Sequence, residues 1–334
     1  MLRFEAALAR AEAAVGIVPA EAAAAIAAVC RDWDGDVEAI FVAAAETMTP
    51  VVPLLADLRS HLPEETGAWL HFGATSQDAV DTAVSLVLRD RIGLIKADLD
   101  GLAGGCRRLA DQHQRTVMTG RTLLQPALPI TFGHKAAGWG AGVGEARVGL
   151  AARLPRLTVQ LGGPVGNLAE LTTRGRAVVR LVATDLGLAE APLAWHTNRV
   201  RIAETASALG IAAGAVAKIA GDIVLLTQGE VGEVKEPGKP GRGGSSAMPH
   251  KENSVLSIGA LAAARRTPGL VATVLASMVQ EHERAAGAWQ AEWPTLLELL
   301  DLTAVAAARV REAVEGLDVD GDRMRENARR QLDA

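Results

Sequence analysis

Between Leu88 and Leu109 the apolar residues Leu88, Ile92, Ile95, Leu99, Leu102, Cys106 and Leu109 recur at alternating steps of four and three. At about 3.6 residues per turn this spacing keeps all of them on one narrow face of a helix, and such a stripe packs best against other long helices. A second stripe, Ile202, Ala206, Leu209, Ala213, Val216, Ala220 and Ile223, repeats the pattern, and a third helical stretch runs from about Val255 to Met278. Residues 129–154 and 172–187 add two further apolar or amphipathic segments. No alternation of period two is long enough to predict a sheet. The expected fold is all-α, a bundle whose helices run on the order of 30 residues where the average is about 11–12. The composition agrees: aromatic residues are 3% of the chain and Tyr is absent. Burial then rests on Ala, Leu, Val and Ile, which suits closely packed helices.

The first 70 or so residues have a different texture, with short helical patterns broken at Pro19, Trp33 to Asp36, Pro50, Pro53 and Pro63. The expected organisation is a small N-terminal helical domain over 1–77, a long-helix bundle over 78–317 with a mobile loop near 233–247, and a C-terminal tail over 318–334.

A net charge of −5 offers no basic face for nucleic acid. Cys30 and Cys106 lie in apolar helical patterns without CxxC spacing, which reads as a reduced, cytoplasmic protein. The opening MLRFEAALARAEAAVG carries Arg3, Glu5, Arg10 and Glu12 and is no secretory segment. No apolar run is read as long enough for a membrane span, so no membrane partner is expected.

The segment that concentrates chemistry is GGSSAMPHKEN, residues 243–253. Upstream, Pro237, Pro240 and several glycines interrupt any helix, so residues 233–242 read either as a loop that closes over a ligand or as a linker. Downstream, His250, Lys251 and Asn253 gather donors and positive charge just before the helix from Val255, and a helix N-terminus favours anions. The serines precede the lysine, which excludes a phosphate loop and leaves a carboxylate as the expected ligand.

Four other segments, each polar, glycine-bearing or both, end apolar helical stretches: HFGATSQDAVDTA at 71–83, GRTLLQPALPITFG at 120–133, LGGPVGN at 161–167 and WHTNRVR at 195–201. Taken singly, Thr75, Ser76 and Gln77 before Asp78 are also an ordinary helix cap, and Arg121, Thr122 and Gln125 an ordinary turn. None of the seven histidines has metal-ligand spacing, so no metal is expected. GWGAGVG at 138–144 fails the dinucleotide fingerprint, which leaves no cofactor implied.

In this order, HFGATSQD, GRTLLQPALPITFG, LGGPVGN and GSSAMPHKEN resemble the fumarase/aspartase superfamily over nearly the whole chain. Within it, HFGATSQDAVDTA, PLAWHTNRVRIAE and VQEHERAAGAWQAEW look like the 3-carboxy-cis,cis-muconate cycloisomerase branch; adenylosuccinate lyases and non-catalytic homologues are the alternatives. The resemblance implies an L-aspartase-like bundle and a cofactor-free isomerisation of a small tricarboxylate. It also implies a homotetramer with sites shared between subunits. By motif position it implies catalytic roles for Ser245, Lys251 and His71, and substrate binding by Thr75, Ser76, Gln77, Arg121, Thr122, Gln125, His196, Arg199, Ser246 and Asn253. Superfamily lyases usually carry His where this chain has Leu123, and a leucine transfers no proton; the cycloisomerase branch shares that loss.

Overall fold

The computed structural model describes residues 1–248 and 251–332. In chain order come α1 (Leu2–Ala14), α2 (Ala20–Asp32), α3 (Val37–Thr47), α4 (Val51–Ser60), α5 (Glu64–Gly67) and α6 (Ser76–Gln112). A hairpin follows, β1 (Val117–Thr122) and β2 (Gln125–Thr131), and then α7 (Phe132–Ala151), α8 (Gly175–Leu186) and α9 (Val200–Leu226). The chain ends with β3 (Val234–Lys235), α10 (Val255–Ala276), α11 (Ala288–Glu315), β4 (Asp318–Val319) and α12 (Gly321–Leu332). The all-α, long-helix class holds: α6 has 37 residues, α9 has 27 and α11 has 28. Every residue of the 88–109 stripe is 4% exposed or less, as a core seam requires.

The chain divides into two compact units, each drawn from three separated segments: Met1–Asp90, Arg153–Ala203 and Thr273–Thr295 form the first, and Arg91–Ala152, Glu204–Ala272 and Leu296–Ala334 the second. The linear partition at 77 and 317 does not coincide with them, because a reading along the chain does not see which segments return to pack together. In the first unit α1 packs on α2 and α8. In the second, α12 packs on β1, and β3 pairs with β4 through Val234↔Val319 and Lys235↔Asp318.

Two expectations need correction. The β1–β2 hairpin is a real antiparallel pair, with a register shift between Thr119 and Arg121. It escapes a period-two search because β1 buries three consecutive residues and β2 carries Pro126 and Pro129, which only an edge strand tolerates. Its two-residue tip places Leu123 (φ 52°) and Leu124 (φ 64°) in the left-handed region, 96% and 70% exposed. The second correction concerns membrane spans: α9 is long and apolar enough to cross a bilayer by length and composition alone. Its faces nevertheless differ, with Leu209, Val216 and Ile223 buried while Ile211 is 64% exposed. That one-sided burial is the pattern of a core helix in a globular unit.

Candidate active site

In the first unit the segment from His71 to Asp81 is built on a pair of glycine turns. Gly73 has φ +63°, and a Cβ there would lie 2.5 Å from the Leu171 side chain. Gly163 has φ +71°, and a Cβ on it would stand 2.9 Å from the Gly73 carbonyl oxygen. Only glycine lets these two backbones come so close.

Asp78, fully buried, ties this corner together. Its carboxylate accepts the backbone N–H of Thr75 at 3.1 Å, the N–H groups of Gly162 and Gly163 at 3.1 and 2.9 Å, and faces His196 Nε2 at 2.6 Å. The bond back to Thr75 is half of a capping box, with the third helical residue reaching the cap residue before α6. A cap does form here, through the Asp78 carboxylate, and the same carboxylate also organises LGGPVGN and WHTNRVR.

One turn further along α6, Asp81 accepts from Gln77 and Gln160 at 3.1 and 3.3 Å, from Trp289 Nε1 at 3.0 Å, and from both Nη atoms of Arg199 at 2.8 and 3.1 Å. Arg199 also bonds Glu292 and lies over the Trp195 ring, 4.9 Å from its centroid. Burial works against this guanidinium's charge, but Asp81 and Glu292 outweigh it and hold the pKa above its ordinary value. Burial and the charge of Asp81 push the Glu292 carboxyl up despite Arg199, as expected where two acids share one base.

These bonds engage three of the expected binding residues. Arg199 is 2% exposed and pairs with two internal carboxylates, Asp81 and Glu292. Gln77 donates to Asp81 and to the His196 carbonyl at 2.8 Å and accepts from Arg284 at 3.0 Å, so its amide is committed as well. His196 is 4% exposed and has Nε2 engaged by Asp78. Left nearer the surface are Thr75, Ser76 and His71, all half-buried. His71 Nδ1 lies 2.8 Å from Glu5 Oε1.

The second unit holds the other motifs. Arg121 makes a two-pronged bond to Glu233, at 2.9 and 2.8 Å, and Glu233 also accepts from Asn327 at 2.9 Å. Arg121 thus closes an ion pair with a buried carboxylate of the chain. Thr122 and Gln125 face each other across the hairpin tip and are exposed.

The GSS segment is pinned at its base. Asn253 donates through its backbone N–H and its side-chain Nδ2, each at 2.9 Å, to the Gly243 carbonyl oxygen. Gly243 has φ +75°, and a Cβ there would meet the Asn253 carbonyl oxygen at 2.7 Å. Ser245 Oγ accepts the N–H groups of Ala247 at 3.3 Å and Met248 at 3.1 Å. Ser246 and Lys251 are exposed, and Lys251 enters no ion pair among the described residues. Pro249 and His250 lie outside the described residues.

The N-terminus of α10, read from sequence as an anion site, is already filled by the chain itself. Glu236 accepts the N–H groups of Leu256 and Ser257 at 3.0 and 2.8 Å. A carboxylate does sit there, but it is the protein's own, and it stitches the approach to the loop onto the helix.

Sequence reading missed Glu5, Glu236, Glu292 and Arg284. Arg284, whose pKa burial lowers despite Asp78 and Asp81, bonds Gln77 and the carbonyls of Gly163 and Pro164. Only Glu5 had a local signal. It lies on the buried face of α1 with Leu8 and Glu12, and an acid on an apolar face asks for a partner. Among the described residues no group of three or more His, Cys, Asp or Glu is arranged to hold a metal.

A lyase family model matches residues 1–265. The chain is 47% identical over 332 residues to a 3-carboxy-cis,cis-muconate cycloisomerase of Bradyrhizobium diazoefficiens, covering 98% of this chain and 73% of that protein. It is also 44% identical to a nitrosuccinate lyase of Streptomyces davaonensis, covering 98% and 71%. Its fold is similar to the crystal structure of the 3-carboxy-cis,cis-muconate lactonizing enzyme from Pseudomonas putida, with a TM-score of 0.93, 44% identity, and coverage of 98% of this chain and 74% of that one. The chain belongs to the lyase family of the fumarase/aspartase superfamily.

Proposed function

We propose that this protein lactonises 3-carboxy-cis,cis-muconate to 4-carboxymuconolactone, without a cofactor, in the cytoplasmic breakdown of protocatechuate. One carboxylate oxygen adds to a double bond, closing the ring. The displaced π electrons move onto the carbon next to another carboxylate, and a proton then adds to that carbon. Every atom of the substrate is retained, so the reaction is an isomerisation whose reverse is a β-elimination.

The hard step is carrying the carbanion as a carboxylate with extra negative charge, which preorganised donors stabilise most effectively. Ser245 transfers the proton. The observation that carries this reading is the pair of backbone N–H groups on Ser245 Oγ. An alkoxide is costly in isolation, and two fixed amide donors lower that cost as an oxyanion hole does. Lys251 supplies the cation and Asn253 holds the segment in register, with Ser246 beside them. Thr75, Ser76, Thr122 and Gln125 serve as neutral donors to the substrate carboxylates, and His71 as a charged one.

The working form is a homotetramer with shared sites. Support comes from the exposed apolar surface at the hairpin, where Leu123 is 96% and Leu128 82% exposed. It also comes from α3, in which Phe41 and Val42 are 52% and 71% exposed and no residue is buried. Such surface is expected where another subunit packs.

The similarity to a nitrosuccinate lyase sets the second reading, a β-elimination from a nitro-substituted succinate through a related carbanion. The test is turnover of both compounds by the purified protein, with light scattering on the same sample. Loss of the muconate diene absorbance without nitrosuccinate cleavage supports the cycloisomerase. Cleavage of nitrosuccinate alone replaces it, and an active monomer removes the shared-site arrangement.

A further inference from the structure

The His71 contact reaches across 66 positions of sequence to a carboxylate with no solvent access of consequence: Glu5 is 1% exposed and the His71 side chain 11%. His71 also holds φ +66°, a conformation that costs a non-glycine residue energy and persists only where its surroundings fix it. With Nδ1 facing Glu5, the imidazole is fixed in rotation, and Nε2 is left as the nitrogen for a ligand. No other hydrogen bond of the His71 side chain is formed among the described residues.

We infer that Glu5 is a positioning residue for the reaction: buried behind His71, it holds Nδ1 and orients the ring, so that His71 Nε2–H binds a carboxylate of the substrate. This rests on the proposed tricarboxylate substrate, and it assigns to α1 a part in a site otherwise built from loops and helix ends.

The charges around the pair agree. Burial alone would lower the His71 pKa, but the charge and hydrogen bond of Glu5, aided by Asp78 on α6, raise it above its ordinary value against the opposing Arg59 on α4. Two turns along α1 from Glu5 lies Glu12, fully buried, with neither carboxyl oxygen partnered among the described residues. Burial and the charge of Glu5 push its pKa to about 9, so at neutral pH Glu12 holds a proton. On α2, Cys30 also feels Glu5, and burial together with that charge pushes its thiol up to about 12.

The experiment is an NMR titration of the His71 imidazole in the wild-type protein and in Glu5→Gln, with His71→Asn giving the assignment. The pH profile of kcat/KM is recorded on the same samples, and Glu5→Asp is the conservative control. The wild-type ring is expected to titrate above the ordinary histidine value and Glu5→Gln to bring it down by at least one unit. The alkaline limb of kcat/KM should move down with it, KM should rise several-fold more than kcat falls, and Glu5→Asp should restore most of the shift. A wild-type His71 titrating at or below its ordinary value overturns the inference and needs no variant. So does a folded Glu5→Gln protein with an unchanged ring titration or pH limb. Because the titration is read without substrate, failure of the muconate assay alone counts against the proposed substrate and leaves the Glu5–His71 result standing.

Discussion

The segments 71–81 and 243–253 are equally polar in sequence, yet the structure treats them in opposite ways. In the first, Gln77, Asp78 and Asp81 are 3% exposed or less, and their polar atoms are bonded inside the protein. In the second, Ser246 and Lys251 are exposed, and the bonds that hold the segment run largely through backbone atoms of Gly243, Ala247 and Met248. A conspicuous motif is therefore no guide to which of its residues meet a ligand. One motif is mostly scaffold with His71, Thr75 and Ser76 at its edge; the other presents its side chains.

That contrast predicts that damage separates cleanly into stability and turnover. Arg199→Met leaves Asp81 and Glu292 buried without their cation, and removing one partner of such a cluster costs about 3–5 kcal/mol. Denaturant unfolding should show that loss, with kcat per folded molecule little changed; a drop in kcat at full stability would break the comparison. Lys251→Ala should do the reverse. On the order of a hundredfold loss in kcat, about 3 kcal/mol of barrier, is expected for one removed electrostatic donor, with an unaltered midpoint.

Glu12→Gln sharpens the account of the buried side. A carboxyl raised from 4.5 to about 9 keeps a proton in the folded state that the unfolded chain releases. Its favourable contribution is complete below the unfolded value and is lost as pH rises through that window. Each pH unit there costs the wild type up to about 1.4 kcal/mol. The variant should be more stable by about 3 kcal/mol at pH 7, by an amount that grows toward pH 9 and vanishes near pH 4; a pH-independent difference would refute a protonated Glu12. The smallest effect belongs to the hairpin tip. Leu124→Gly relieves a left-handed leucine and should raise stability by about 0.5–1 kcal/mol, read as a small upward shift in unfolding midpoint.

The long helices were legible because one periodicity repeated over many turns leaves few alternatives, as Leu88 to Leu109 demonstrates. The hairpin was not, since a strand with three buried residues in a row and a partner with two prolines has no period to find. At the site, Ser245, Lys251 and Asn253 stood out through local spacing. The burial of Arg199, the ion pair of Arg121 with Glu233, and the capping of α10 by Glu236 did not. Each depends on a partner 20 to 118 positions away, and a single sequence records no such pairing.

The central claim is that the serine held by two backbone amides performs the proton transfer. Absorbance of 3-carboxy-cis,cis-muconate, followed with wild type and with Ser245→Ala at matched folded concentration, tests it most directly. The account predicts rapid loss of the diene band with the wild type and a fall in kcat on the order of a thousandfold in the variant, at an unchanged unfolding midpoint. Wild-type turnover retained by Ser245→Ala would contradict it.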